Sequence, residues 1–310
     1  MSFNTDPTSD AKKMNKLLTT KPIDFDSLIE ICVKFPRDQR EQISQNYSQL
    51  FNKSLIEDFQ AYLSGNFKET VIGLFTPLID YDCQQLRKSV KGLGTDEKSL
   101  VEILAVRSSE EIQKIRKRYS EIFPGRDLVK DVEDDTSGHF KNLLVSLITE
   151  KRSNNTIPDV NLCKNYGTAL FNAFEHKNEE AQQKIITEIF SMKSKEEINE
   201  IAKSFRSASG ITLLKGLEKY FKGSVFRALE AILYCLVSPA EYFAKRINES
   251  IVGLGTDDTS LIRILVTRFG VDLHPIKQYY RQNYGKEIST DIKGDTSGNY
   301  QKLLLAIVSY

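Results

Sequence analysis

The sequence predicts an all-α protein assembled from four copies of a five-helix unit. Three observations carry this expectation. The chain repeats itself, the apolar residues within each copy recur at three- and four-residue steps, and no stretch of useful length alternates as a strand would.

The repeats are read directly. VKGLGTDEKSLVEILAVR (90–107) aligns with IVGLGTDDTSLIRILVTR (251–268), and DDTSGHFKNLLVSLI (134–148) with GDTSGNYQKLLLAIV (294–308). Two further segments, LSGNFKETVIGLF (63–75) and FKGSVFRALEAIL (221–233), carry only the later signature. The Ser or Lys before the shared Gly falls at 64, 137, 222 and 297, in steps of 73, 85 and 75. The longer middle step contains KRSNNTIPDV (151–160), a polar, Pro-bearing stretch that reads as a linker. The expected organisation is a short head (1–11), repeats at 12–78 and 79–150, the linker, and repeats at 161–236 and 237–310. The linker predicts two modules, 12–150 and 161–310.

Within a repeat the period is helical. Leu100, Ile103, Leu104 and Arg107 lie at the spacing of one helix face. Thr95 is the expected N-cap, with Asp96 and Glu97 in the first turn, where the helix dipole favours anions. Ser108 and Glu111 have the spacing of a capping box for a helix over 109–122. Gly125 separates that helix from 126–134, Ser137 is placed to cap an apolar helix over 139–149, and a helix over 79–89 precedes the Gly loop. That makes five.

Composition narrows the function. Lys plus Arg (43) balance Asp plus Glu (42), a formal charge of +1, so the broad basic face that nucleic acid needs is not indicated. The longest uncharged apolar run, Ala231 to Ala240, is half the ~20 residues that span a bilayer. The polar N-terminus reads as no signal peptide. Cys32, Cys83, Cys163 and Cys235 have no metal-ligand spacing and read as buried, reduced thiols. His139, His176 and His274 are scattered without a nucleophile, and His139 reads as a solvated or capping residue. No catalytic constellation is present, so an enzyme is not expected. A cytoplasmic protein, which would meet any membrane only from outside, fits these features. A cytoskeleton-associated scaffold linking filaments to membrane with little calcium dependence is the alternative.

The glycine motif carries the chemistry. Calcium takes six to eight oxygen ligands and mixes carbonyls, carboxylates and water freely. A Gly-x-Gly turn between helices reaches positive φ and can aim several carbonyls at one point, leaving a distant acidic side chain to complete the set. A phosphate loop is excluded, since no Gly-Lys-Ser/Thr follows either glycine pair. A plainer alternative reads GLGT as a helix C-cap and turn, with Asp135 and Asp295 as caps at helix N-termini.

Four five-helix copies, two of them bearing KGLGTD or VGLGTD followed by DTSG, resemble the annexin core over residues 12–310. The loss of the motif from half of the repeats is similar to the divergent protist members of the alpha-giardin type. The resemblance implies four repeats in a single curved disc, calcium as the bound ion, and calcium-dependent binding to acidic phospholipid membranes. It assigns as metal ligands the carbonyls of Val90, Gly92 and Gly94 with the Asp135 carboxylate, and those of Ile251, Gly253 and Gly255 with Asp295. The carboxylate follows the second Gly by 41 residues in the second repeat and 40 in the fourth. The first repeat (LLTTKPIDFDSL, with Tyr62) and the third (NAFEHKNEEAQQ, with Tyr220) lack both glycines and carboxylate and are expected to bind no calcium. The same resemblance puts minor calcium sites at Glu97 and Asp258, loop-tip membrane contacts at Leu93 and Leu254, and a polar axis between modules lined by Asp82, Glu102, Arg107, Arg263 and Arg268. Gln85 stands where many relatives carry an acid.

Overall fold

A computed structural model describes residues 6–92, 94–253 and 255–310. Every regular element among them is a helix, in four groups of five. The first repeat holds α1 (Pro7–Thr19), α2 (Phe25–Lys34), α3 (Arg37–Phe51), α4 (Leu55–Tyr62) and α5 (Gly65–Phe75). The second holds α6 (Leu78–Ser89), α7 (Glu97–Val106), α8 (Ser109–Ile122), α9 (Leu128–Asp135) and α10 (Gly138–Thr149). The third holds α11 (Val160–Glu175), α12 (Glu179–Met192), α13 (Lys195–Ser209), α14 (Leu213–Tyr220) and α15 (Gly223–Val237). The fourth holds α16 (Pro239–Ile251), α17 (Asp258–Arg268), α18 (Leu273–Tyr284), α19 (Ile288–Asp295) and α20 (Gly298–Ser309). The expected capping box is present: the Ser108 hydroxyl accepts from the Glu111 amide, and the Glu111 carboxylate accepts from the Ser108 amide. Ser137 occupies the N-cap of α10 but makes no side-chain cap bond there.

The repeats do not group in chain order. One compact unit is the chain up to Tyr81 together with Ala240–Tyr310; the other is Asp82–Pro239. The first repeat therefore packs with the fourth, and the second with the third, instead of the 12–150 and 161–310 modules that the linker suggests. In the first unit, α5 packs on α17 and α2 on α20; in the second, α15 packs on α7 and α10 on α12. The fifth helix of one repeat thus covers the second helix of its partner. The α17 residues from Ser260 to Arg268 are all buried, as expected of a helix covered on every side. Gly73 on α5 permits the close approach, since a Cβ there would lie 3.0 Å from both Tyr81 and Val266.

Arginines that donate to main-chain carbonyls tie the pairs together. Arg37 donates to the Thr76 carbonyl at 2.6 Å and to that of Val266, on the fourth repeat, at 2.8 Å. Arg40 is fully buried and donates to the carbonyls of Leu74 and Phe35, and burial lowers its pKa to about 10. In the second unit Arg152 donates to the carbonyls of Lys193 and Phe190. The stretch at 151–160 is thus anchored inside this unit, and its polarity marks a surface crossing between two packed repeats.

One internal substitution is paired. A tyrosine on the third helix donates to a buried aspartate in three repeats: Tyr47 to Asp58, Tyr119 to Asp131, and Tyr280 to Asp291. Burial pushes all three phenols well above their usual range, with the aspartate adding to the shift. In the third repeat the pair becomes Phe205 over Gly216, where a Cβ would lie 2.5 Å from the ring. Losing both partners of a buried hydrogen bond together costs little, whereas losing one leaves an orphan. Gly216→Ala is therefore expected to destabilise the protein by about 1–3 kcal/mol through overpacking. Gly216→Ala combined with Phe205→Leu should recover part of the loss in thermal melts.

Candidate functional site

The helix-terminal loops decide where the site can be. In the second repeat α6 ends at Ser89, whose carbonyl accepts from the Asp96 amide at 2.9 Å. In the fourth, the Ser250 carbonyl accepts from the Asp257 amide at 2.7 Å. These bonds pinch each loop shut. Such closure demands backbone that bulky residues resist: φ is +133° at Gly92, +89° at Gly94, +152° at Gly253 and +84° at Gly255. A Cβ at any of the four would meet open space, so the requirement is conformational and not steric. Val90 and Ile251 bury their side chains at the loop entry, anchoring the backbone that the expected ligand carbonyls belong to. Leu93 and Leu254 lie outside the described residues.

The N-cap of α7 is Asp96, not Thr95: its carboxylate accepts from the Ser99 amide at 3.1 Å. Asp257 does the same for α17 through Ser260. Thr95 is left to reach across the repeat. Its hydroxyl lies 2.7 Å from the Asp135 carboxylate and 2.7 Å from the Asp135 carbonyl. A residue 40 positions away is thereby held beside the glycine loop. In the fourth repeat the Thr256 hydroxyl reaches only the Asp295 carbonyl, at 3.3 Å, and Asp295 is exposed where Asp135 is half-buried. The extra residue in the second repeat leaves its aspartate next to the loop.

Asp135 is the last residue of α9 and Asp295 the last of α19. Neither caps a helix N-terminus. Both sit at the end where the helix dipole disfavours a negative charge. This position carries no stability benefit of its own, and it suits a carboxylate that serves a cation. The donor set fits calcium on chemical grounds: a glycine turn rich in carbonyls, and one hard carboxylate beside it. Among the described residues no group of three or more His, Cys, Asp and Glu side chains could hold a metal, as expected where most donors are backbone oxygens.

The other sequence-singled residues fall into three groups. Glu97 accepts from Ser224 and from Arg227 (2.8 Å), both on α15 of the third repeat; Asp258 accepts from the half-buried Tyr300 hydroxyl at 2.8 Å. Asp82 is fully buried and binds Arg107 in a fork at 2.6 and 3.1 Å, while Arg268 forks onto Asp272 and stacks on Phe243 at 4.6 Å. Burial opposes the Arg107 charge, but Asp82 outweighs it and raises the pKa above its usual value. His139 is not solvated; its Nδ1 is buried and its ring stands edge-on to Phe221.

In the first and third repeats a tyrosine ends the fourth helix where aspartate ends it elsewhere, and the loop has no glycine pair. Lys21 lies 5.4 Å over the ring of Tyr62. Tyr220 donates to Glu175 at the end of α11, and Lys219 bridges both. One residue escaped sequence reasoning. Val252, inside the fourth loop, is 52% exposed, while its counterpart in the second loop is Lys91.

The Thr95 bond makes the two loops unequal in a measurable way. Thr95→Val should raise the calcium needed for half-maximal vesicle binding about tenfold, the lower end of what one hydrogen bond to a charged group is worth. Thr256→Val, which loses a longer bond to a carbonyl, should change it less. Calcium titrations of the two variants with sedimented vesicles provide the comparison.

The annexin family model matches residues 9–74, 81–147 and 242–307, leaving out the third repeat. Human annexin A7 is 36% identical over 305 residues, covering 98% of this chain; the chain spans 62% of that protein's length. Mouse annexin A4 is 36% identical over 300 residues, covering 97% of this chain and 93% of its own. The solved structure of annexin III superposes with a TM-score of 0.94 at 30% identity, over 99% of this chain and 95% of that one. A calcium-bound alpha-14 giardin shares the fold (TM-score 0.84) at 23% identity. The narrower likeness to giardins is thus one of fold alone. Together with the four five-helix repeats, these matches show that the chain belongs to the annexin family.

Proposed function

We propose that this protein docks peripherally on acidic phospholipid membranes through calcium held at its second and fourth loops. The ligands are the carbonyls of Val90, Gly92 and Gly94 with Asp135, and those of Ile251, Gly253 and Gly255 with Asp295. The observation that carries this reading is the Thr95 bond, which brings Asp135 to the glycine loop without giving it a capping role. The first and third repeats, which lack the glycine pair and carry Tyr62 and Tyr220 in place of the aspartate, are read as metal-free. The minor sites are read as unused, because Glu97 and Asp258 already have partners. The chain acts by binding and not by catalysis. No helix among the described residues is long and apolar enough to cross a membrane. The inner face of the plasma membrane is the surface it is proposed to meet.

Calcium supplies a divalent charge whose remaining coordination positions suit lipid phosphate or carboxylate oxygen. The chain's own residues do the rest. Glycines set the turn, Thr95 aligns the Asp135 carboxylate, Thr256 holds the Asp295 backbone, and one carboxylate per site leaves positive charge over for an anionic surface. Calcium and lipid then strengthen each other's binding reciprocally. Two sites on one chain add avidity. The exposed Val252 offers an apolar contact at the fourth loop.

Asp135→Ala and Asp295→Ala should each raise the calcium needed to sediment with phosphatidylserine vesicles, and the double variant should lose calcium-dependent sedimentation. Melting temperature in chelator should hardly move, since surface changes stay within about 0.5 kcal/mol. A double variant that binds normally would refute the ligand assignment. Sedimentation with filaments in chelator would instead favour the scaffold alternative.

A further inference from the structure

The first helices of the first and third repeats, α1 and α11, both face solvent, but they present different surfaces. The exposed residues of α1 include Lys12, Lys13 and Lys16, as expected of a solvated helix. On α11, every exposed residue from Val160 to Asn172 except Lys164 is apolar or carries a neutral amide or hydroxyl. Val160 is 61% exposed, and Ile157, just before the helix, is 82% exposed. Lys164 is two residues from Leu162 and so points to another side of the helix. Charged residues make up 27% of this chain, and an exposed helix face without them departs from that composition. Depletion of charge is the compositional mark of a surface that another protein covers.

The same face carries a hollow. Gly167 sets α11 hard against α13: a Cβ there would lie 2.6 Å from Ser204, whose hydroxyl donates to the Lys164 carbonyl at 2.9 Å. On the other side, small residues leave the space between α11 and α12 unfilled. A cavity of about 340 Å³ remains there, with an apolar floor of Leu162, Ala169, Ala173, Ala181 and Ile185. Its rim is neutral as a whole. Lys184 and Glu188 are opposite in sign, and Asn165 and the Tyr166 hydroxyl, which donates to Glu188, complete it.

This neutrality selects the occupant. An acidic or a basic partner would be matched by a rim of the opposite sign, and an acidic membrane by lysines like those of α1. A second copy of the same surface makes a different demand. Across a twofold axis a charge near the axis faces its own like, whereas an amide both donates and accepts and can pair with its own kind. We infer that the α11 face is a self-association surface, on which two copies of this chain pack α11 antiparallel about a twofold axis near Thr168 and Ala169. Asn165 of each copy then meets Asn172 of the other, and each Leu162 lies opposite the hollow at Ala173 and Ala181. One helix face is a small interface, so the dimer is weak, with a dissociation constant of about 10 μM. The inference is independent of the calcium reading above.

Sedimentation velocity of the full chain in chelator reads the outcome as mass. The weight-average mass should rise from that of the 35.4 kDa monomer toward twice that value between about 1 and 100 μM protein. Asn165→Glu combined with Asn172→Glu puts like charges at both contacts and should hold the monomer over the whole range. Asn165→Glu combined with Asn172→Lys puts opposite charges there and should restore the rise, at concentrations within about threefold of native, the scale of exposed ion pairs. Both variants alter exposed residues only, and equal melting temperatures in chelator separate lost association from lost folding. A native chain that stays monomeric to about 100 μM leaves the face to another protein or to a membrane and overturns the proposal. Dimerisation of the Glu–Glu variant, or its absence from the Glu–Lys variant, overturns it as well.

Discussion

The packing of each repeat's fifth helix on the second helix of its partner is the constraint on which the rest of this molecule depends. A single repeat of this size buries too little apolar surface to be secure alone. Covering α7 with α15 and α17 with α5 encloses the helices that follow the two glycine loops. The loops are then rigid at both ends, entered by a buried Val90 or Ile251 and left by an aspartate-capped helix. The same pairing brings Ser224 and Arg227 onto Glu97. A repeat without its own motif thus occupies an acid of one that has it.

Electrostatics then separates structural acids from available ones. Asp96 and Asp257 sit at helix N-termini, satisfy amides and belong to the fold. Asp82 and Asp272 are consumed by forked arginine pairs. Asp135 and Asp295 stand at helix C-termini against the dipole, supported by a threonine hydroxyl at or near the carboxylate. An acid kept in an unfavourable position, beside a turn whose glycines hold positive φ, is an arrangement that a bound cation would stabilise. Calcium-linked stability is the corollary, since a ligand that binds only the folded state stabilises it by mass action.

The repeats lacking the motif have not become unstructured at the corresponding place. Glu175, Lys219 and Tyr220 bond the loop region of the third repeat to the end of α14, and Lys21 lies over Tyr62 in the first. Each replaces a separable interaction with a permanent side-chain one. The exchange of Tyr and Asp for Phe205 and Gly216 follows the same logic in the core, where a hydrogen bond gives way to shape.

Much of this was legible in the chain. The three-and-four spacing around Leu100, Ile103 and Leu104 determined helices, the Ser108–Glu111 pair marked a helix start, and duplicated GLGT and DTSG motifs pointed to two competent repeats out of four. These are local or periodic properties, set by backbone sterics and by one amphipathic face. The partnership of the repeats was not legible: a polar linker at 151–160 suggested modules in chain order, yet Arg152 fastens that stretch inside one unit, because its carbonyl partners are 38 and 41 residues away. Thr95 looked like a cap until its hydroxyl was found on Asp135. Glu97 looked available until α15 covered it. In each case the deciding atom comes from a helix distant in sequence, and only packing in three dimensions determines which helix that is.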